Sequence, residues 1–473
     1  MYKRQVKRYT FTKGDTTFYK GDIVIPETFE LKGVTYTVVA TAANAFVDCR
    51  ELTSLQLPKT CVTIGRNSFK GCTALKNDPT PATATSLGNG YLQDCSSITE
   101  VTIPAGVPGT FTAQNLAGMT SLKKITFADS ETPFKMSVLA FVQNLGEGVK
   151  SPIEEIYFGR NLDEGSGSNM PFRGIKTLKK VTFGGNFTTV DAEMFMGCTG
   201  LTEVVYAPGV NVTSLGAGAF ASCSSLASLQ IPAVITAIPE RLCSGDAALT
   251  SITMGDAVTS IGATAFYKTG LKNLSIPASV QTIYSNAFQG SALVGEIALP
   301  AALTSVGSQA FADTKITGVN IPAGVTAIGA AAFAPITTLA TIKVDEANTA
   351  FKVVNGVLVT ADGTRLLVTG HQGTVGTDAF ATVTNIDNYG MAYAPCAVAE
   401  FPMLEKIGDY GFANSAIKNF TLKSNVTVGS NIFKKSALEA IVFEDGRNEI
   451  PQGICGGCEK LNLSLIHISE PTR

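Results

Sequence analysis

LKNLSIPASVQTIYSNAFQGSALVGEIALPAALTSVGSQAFADTKITGVNIPAGVTAIGAAAF, residues 271–333, states one short pattern almost three times over. Its apolar positions run Leu271, Leu274, Ile276, Pro277, Val280, Ile283, Ala287 and Phe288 in the first copy. They return as Leu293, Ile297, Leu299, Pro300, Leu303, Val306, Gly307, Ala310 and Phe311, and again as Ile316, Val319, Ile321, Pro322, Val325, Ile328, Gly329, Ala332 and Phe333. The unit is L-x-x-L-x-I-P-x-x-V-x-x-I-G-x-x-A-F, and its phenylalanines fall 23 and 22 residues apart. A fixed period of this size means stacked coils, each lending its neighbours one side of a shared core. One coil cannot bury enough apolar surface to offset the chain entropy of ordering it, so the pattern requires a stack. Proline ends the short strand because it has no N–H for a ladder.

Followed outward, the Phe position reads Phe46, Phe69, Leu92, Leu116, Phe141, Phe172, Phe195, Phe220, Leu242, Phe266, Phe288, Phe311, Phe333, Phe380, Phe412, Phe433 and Cys455. The long interval from Phe141 to Phe172 contains Leu162 to Asn169, a Gly/Ser-rich stretch without core residues, which reads as a projecting loop. Between Phe333 and Phe380 three short β runs, Phe351–Val354, Val357–Thr360 and Thr364–Val368, are joined at Asn355-Gly356 and Asp362-Gly363. Those dipeptides are strong hairpin signals, so a β meander is expected at about 348–370. Residues 383–406 are the least regular, with Tyr389, Met391, Tyr393 and Pro395 replacing the usual ladder residues.

From Tyr9 to Val39 apolar and polar residues alternate between Gly-containing turns, which predicts an N-terminal β cap over 6–42 sealing a solenoid over 43–463. Met1–Gln5 and Ser464–Arg473 belong to neither, and both are read as translated read-through foreign to the protein.

Net charge is -2 with 16% charged residues, which makes a polyanion such as nucleic acid an unfavoured partner. No window approaches the roughly 20 apolar residues of a membrane helix. Cys49, Cys72, Cys95, Cys198, Cys223 and Cys458 each stand three residues after the Phe position, a register that predicts buried thiols. Pairing among Cys49, Cys72 and Cys95 on consecutive coils stays open. Cys455-Gly456-Gly457-Cys458 has the spacing of a redox or zinc half-site, yet neither a second ligand pair nor a βαβ setting accompanies it, and register explains both cysteines. His371 is read as a loop residue, Gly216-Ala217-Gly218 as a repeat turn, and carboxylate pairs such as Glu154-Glu155 as scattered. These readings predict no catalytic residue, no metal site and no cofactor.

Ile321-Pro322, Val325-Thr326-Ala327-Ile328-Gly329, Ala332-Phe333 and Phe220-Ala221-Ser222-Cys223-Ser224-Ser225-Leu226 carry a resemblance. Over most of its length the chain resembles the BspA-like leucine-rich repeat proteins. The resemblance implies a β-rich leucine-rich-repeat solenoid, with short parallel strands and turn or short-helix connections. It also implies a non-catalytic bacterial protein, extracellular or at the cell surface, that attaches to host proteins, other cells or glycans.

Side chains alternate along a strand, so in L-x-x-L-x-I the residues flanking the second apolar position point outward. Down consecutive coils the first of these reads Glu100, Lys124, Glu155, Lys180, Glu203, with Tyr157 in the companion row: a self-compensating charge ladder. Later coils offer Gln230, Asn273 and Asn320, a neutral hydrogen-bonding face. This face is the expected interaction surface, with an unidentified protein or glycan as ligand. Trp is absent, which tilts the expectation toward protein and leaves a glycan-capturing module of a nutrient-uptake system as the alternative.

Overall fold

The computed structural model describes residues 4–6, 19–136, 153–163, 172–370, 380–397, 399–444, 446, 450 and 453–461. Tyr9–Thr12, Phe141, residues 164–171 of the expected loop, His371, residues 1–3 and residues 464–473 lie outside them. The fold is a parallel β-solenoid with coils of about 23 residues. Packing divides the chain into residues 1–234 and 235–473.

In the first unit β1 (Gly21–Val24), β2 (Thr28–Leu31) and β3 (Val34–Thr41) follow a short strand, Arg4–Val6, which lies parallel to β3. β2 and β3 form an antiparallel hairpin, and β1 lies parallel to β4 (Leu52–Gln56). The main ladder follows as β5 (Glu100–Ile103), β6 (Lys124–Phe127), β7 (Glu155–Phe158), β8 (Lys180–Phe183) and β9 (Glu203–Tyr206), all parallel and in register. Inward positions such as Ile125, Phe127, Phe158, Val181 and Phe183 are fully buried. That one-sided burial is the return for the period-two alternation along each strand.

Between β4 and β5 the strand that the register calls for does not form, because Pro79 stands where a ladder N–H is needed. Side chains seal the gap. Asn77 Oδ1 accepts from Leu55 N–H at 3.1 Å while its Nδ2 donates to Leu55 O at 2.9 Å, so one amide imitates a strand. On the other side Asp78 Oδ2 accepts from Thr102 N–H of β5 at 3.1 Å. A second polar plug is Arg160, whose guanidinium is fully buried and donates to Val107 O at 2.8 Å and Pro104 O at 2.6 Å, two coils back.

In the second unit β10 (Val294–Ala298), β11 (Lys315–Ile321) and β12 (Thr341–Val344) form a parallel sheet. β13 (Phe351–Val354), β14 (Val357–Thr360) and β15 (Arg365–Thr369) pair antiparallel, and β15 then joins the parallel ladder at Asn385–Ile386. Arg365 fixes that joint with a bidentate pair to buried Asp387, Nη2 to Oδ2 at 2.6 Å and Nε to Oδ1 at 2.8 Å. The last strands are β16 (Asn419–Leu422) and β17 (Ala440–Phe443), parallel to each other.

A further ladder runs through the Ala-Phe corner. Phe266, Phe288 and Phe311 N–H donate to Ala287, Ala310 and Ala332 O, each at 2.8 Å, and the rings stack at 5.3–5.5 Å. The corner needs two left-handed residues per coil, such as Thr264 and Lys268 (φ 53° each) or Asn286 and Gly290 (φ 59° and 67°). The glycine after Ile has a steric cause: a Cβ on Gly262 would stand 2.7 Å from Glu240 N of the coil before.

The connections are turns, one of the two expected forms, with a short 3₁₀ segment at Ala113–Asn115. Two expectations change. Residues 272–276 form no strand. The next strand, β10, shifts register at Gly295/Glu296, and Val294 N–H reaches only Lys272 O, at 3.1 Å. Finally, Phe380 is not at the Phe position. Val383 N–H donates to Phe380 O as Val280 N–H does to Pro277 O, so Phe380 stands at the proline position, and Met391, whose N–H donates to Gly411 O, takes the Phe role.

Candidate interaction face

The outward row of β5 to β9 is assembled by register. Lys124 pairs with Glu100 and Glu155, and Lys180 with Glu155 and Glu203, as strand neighbours. Lys180 Nζ lies 2.9 Å from Glu203 and Lys124 Nζ 3.8 Å from Glu100. Glu155 is exposed and, among the described residues, makes no ion pair within 4.0 Å. A second charge row stands beside the first: Glu154 receives Lys123 at 3.0 Å and Lys179 at 2.6 Å. Both lysines hold its carboxyl below the ordinary glutamate range. The pair Glu154-Glu155 is therefore not scattered. It sits between Lys123-Lys124 and Lys179-Lys180, and a coil-by-coil reading of KK, EE, KK would have found it.

In the companion row Tyr157 lies between Thr126 and Thr182. Its hydroxyl donates to Asp129 Oδ1 at 2.8 Å. Partial burial, then the Asp129 carboxylate, push the phenol up to about 12. Asp129 was not foreseen; it comes from the loop after β6. Gln230 is exposed on the strand Ser228–Gln230. Asn273 is exposed but in no strand, because its coil lacks one. Asn320, in the second unit, is exposed on β11 between Ala298 and Lys343.

All ten cysteines are free thiols, and the open pairing of Cys49, Cys72 and Cys95 resolves to three buried ones. Each Sγ of Cys72, Cys95, Cys198 and Cys223 donates to the Phe-position carbonyl, or its equivalent, of the coil before, at 3.0–3.2 Å. Where Thr269, Ser291, Thr314 and Ser415 replace cysteine, the hydroxyl turns to the carbonyl of its own coil at 2.7–3.0 Å. Burial pushes Cys95 and Cys198 up to about 12, so neither supplies a thiolate near neutral pH. Cys455 is likewise raised to about 12, by burial and then by Cys458. Cys458 Sγ donates to Phe433 O at 2.9 Å, the interaction its row predicts. Among the described residues no group of three or more His, Cys, Asp or Glu is placed to hold a metal ion. No helix among them is long and apolar enough to cross a membrane.

A model of the BspA type leucine-rich repeat region matches residues 39–161, 153–269, 259–355 and 371–470. The chain belongs to the BspA-type leucine-rich repeat family. A leucine-rich repeat protein from Eubacterium ventriosum is 25% identical over 50% of this chain and 65% of its own, with a TM-score of 0.46. The chain thus spans less than two thirds of that structure. A leucine-rich cell-surface protein from Faecalibacterium prausnitzii is 18% identical over 96% of this chain and 91% of its own, with a TM-score of 0.33. A leucine-rich repeat protein from T. pallidum is 22% identical over 45% and 79%, with a TM-score of 0.26. Comparison with curated proteins gives no match. BspA-type leucine-rich repeats are associated with protein interaction and surface roles and are typically non-catalytic.

Proposed function

We propose that this chain is a non-catalytic adhesion module, secreted or held at the cell surface, that binds a protein partner through the outward face of β5 to β9. The observation that carries the reading is the in-register double row of alternating charge on a parallel sheet, with Glu155 exposed and Tyr157 beside it. Charges compensated within a row repel neither sign of partner, and their spacing fixes the register in which a complementary surface can dock. Tyr157 adds a rigid aromatic contact with a polar tip, a residue type enriched at protein interfaces. The test is surface plasmon resonance of the full chain over a panel of extracellular-matrix proteins, with a glycan array in parallel. Saturable, salt-sensitive binding to a protein, weakened at least tenfold by the double substitution Lys124→Glu, Lys180→Glu, is expected. Saturable sugar binding with no protein hit would replace this reading with the glycan-capturing one.

A further inference from the structure

The solenoid is interrupted again before β16, and here the break is left open. At the proline position the carbonyl of Phe401 accepts from Leu404 N–H at 3.3 Å, as the repeat requires, but residues 399–404 form no strand. The chain is short at this point. From Met391 at the Phe position to Leu404 is 13 residues, against 14 from Phe266 to Val280 and 15 from Phe288 to Leu303.

The hydrogen bonds of β16 show what is exposed. Lys418 O and Leu422 O accept from Ala440 N–H and Glu444 N–H, both at 3.0 Å, so the even-numbered residues serve β17. Asn419 and Thr421 then direct N–H and C=O to the opposite side. Among the described residues the preceding coil meets that edge with one bond, Lys418 N–H to Ala397 O at 2.8 Å. Thr421 is the counterpart of Thr102, whose N–H is capped by Asp78. No side chain caps Thr421 among the described residues.

A groove of about 520 Å³ opens at this edge, within the range of roughly 300–1,000 Å³ typical of ligand sites. Phe401, Leu404, Phe420 and Val426 form its apolar floor, and Val442, 51% exposed, its far wall. Its one lining ammonium, Lys423, is spent on Pro402 O at 2.7 Å, and the neighbouring Lys418 is paired with Glu439 at 3.1 Å. Glu400 is exposed on the rim with no ion pair among the described residues. The uncompensated charge of the groove is negative.

We propose that this groove binds an extended peptide segment of a partner protein, added as a strand to β16, with one apolar side chain on the floor and a lysine or arginine facing Glu400. An unpaired strand edge supplies main-chain hydrogen bonds, and the adjoining pocket supplies side-chain selection. The site lies outside the face assigned to β5–β9, and its test uses separate substitutions.

A random heptapeptide library displayed on phage is panned against the full chain, and enriched peptides are synthesised and titrated. Enrichment of extended sequences with an apolar residue near Lys or Arg is expected. Their affinity falls at least tenfold on Thr421→Pro, which removes an edge N–H, and on Val442→Asp, which charges the wall. Glu400→Lys reverses the preference for basic peptides. Circular dichroism melting identifies any variant that fails to fold, and Val442→Asp, on an exposed position, remains informative if Thr421→Pro does not fold. The proposal is overturned if no motif is enriched, if enriched peptides bind all variants alike, or if sedimentation shows a dimer that Val442→Asp dissociates, which would make a second copy the occupant.

Discussion

Among the coils that lack the strand their register calls for, the one before β5 and the one before β16 are finished differently. Before β5 the missing strand is replaced by the side chains of Asn77 and Asp78, which give Leu55 and Thr102 the partners a backbone would have given. Before β16 the missing strand leaves Asn419 and Thr421 facing a groove. A buried N–H left without an acceptor costs roughly 1–3 kcal/mol, whereas an N–H beside open solvent has water. The closed break therefore needs its Asn and Asp to fold, and the open break folds without them because it is wet. A sealed edge serves stability, and an unsealed one remains available for pairing.

The largest effect is expected from unsealing the first break. The double substitution Asn77→Ala, Asp78→Ala orphans Leu55 N–H and C=O together with Thr102 N–H, and should lower the urea unfolding free energy by about 3–5 kcal/mol. A loss below about 1 kcal/mol would show that water already serves those groups and that the two breaks do not differ. A sharper comparison uses one substitution at two equivalent positions. Thr102→Pro and Thr421→Pro impose the same backbone restriction, but only the first removes a bonded N–H. Thr102→Pro should cost about 1–3 kcal/mol more, and equal costs would sink the distinction.

The seal also titrates. Burial raises the Asp78 carboxyl above its ordinary value, outweighing the hydroxyl and N–H of Thr80 and the N–H of Thr102, which favour the carboxylate. A carboxyl raised in the folded state contributes stability below its unfolded pKa of about 3.9, and loses it as pH rises through the folded value. The contribution of Asp78 to the unfolding free energy should therefore decline as pH rises from about 4, a slope read as the difference between wild type and Asp78→Asn across pH. The break before β16 has no titrating cap, so Thr421→Pro leaves the slope in place.

Much of this was legible in the sequence and some was not, for reasons that residues make plain. The period and the buried rows follow from side chains that recur, and Phe288, Phe311 and Phe333 stack as their spacing requires. The charge ladder of Glu100, Lys124, Glu155, Lys180 and Glu203 was readable because parallel register converts sequence period into spatial adjacency. The corner ladder was hidden because its bonds are made by backbone, and its left-handed residues are as varied as Thr264, Asn286 and Gln309. Phe380 misled for the opposite reason. A phenylalanine is conspicuous, and only the bond from Val383 N–H shows that it occupies the proline position. The groove before β16 was invisible because it is made by a one- or two-residue shortfall, which a loosely spaced repeat tolerates without announcing it.

The smallest effect on stability is expected at the face assigned to binding, and that smallness is what makes it testable. Lys180 and Glu203 side chains are 37% and 52% exposed, so their 2.9 Å pair is worth under about 1 kcal/mol after solvent screening. Lys180→Gln should leave the urea midpoint within about 0.5 kcal/mol of wild type, against the several expected at Asn77 and Asp78. If the row instead served mainly to hold coils together, Lys180→Gln and Glu203→Gln would each be costly, and their double-mutant cycle would return a coupling above about 1 kcal/mol. A near-zero coupling together with lost partner binding separates the two duties. The sealed break maintains the stack, while the charged row lies on it at little cost to folding and is free to be matched by a partner.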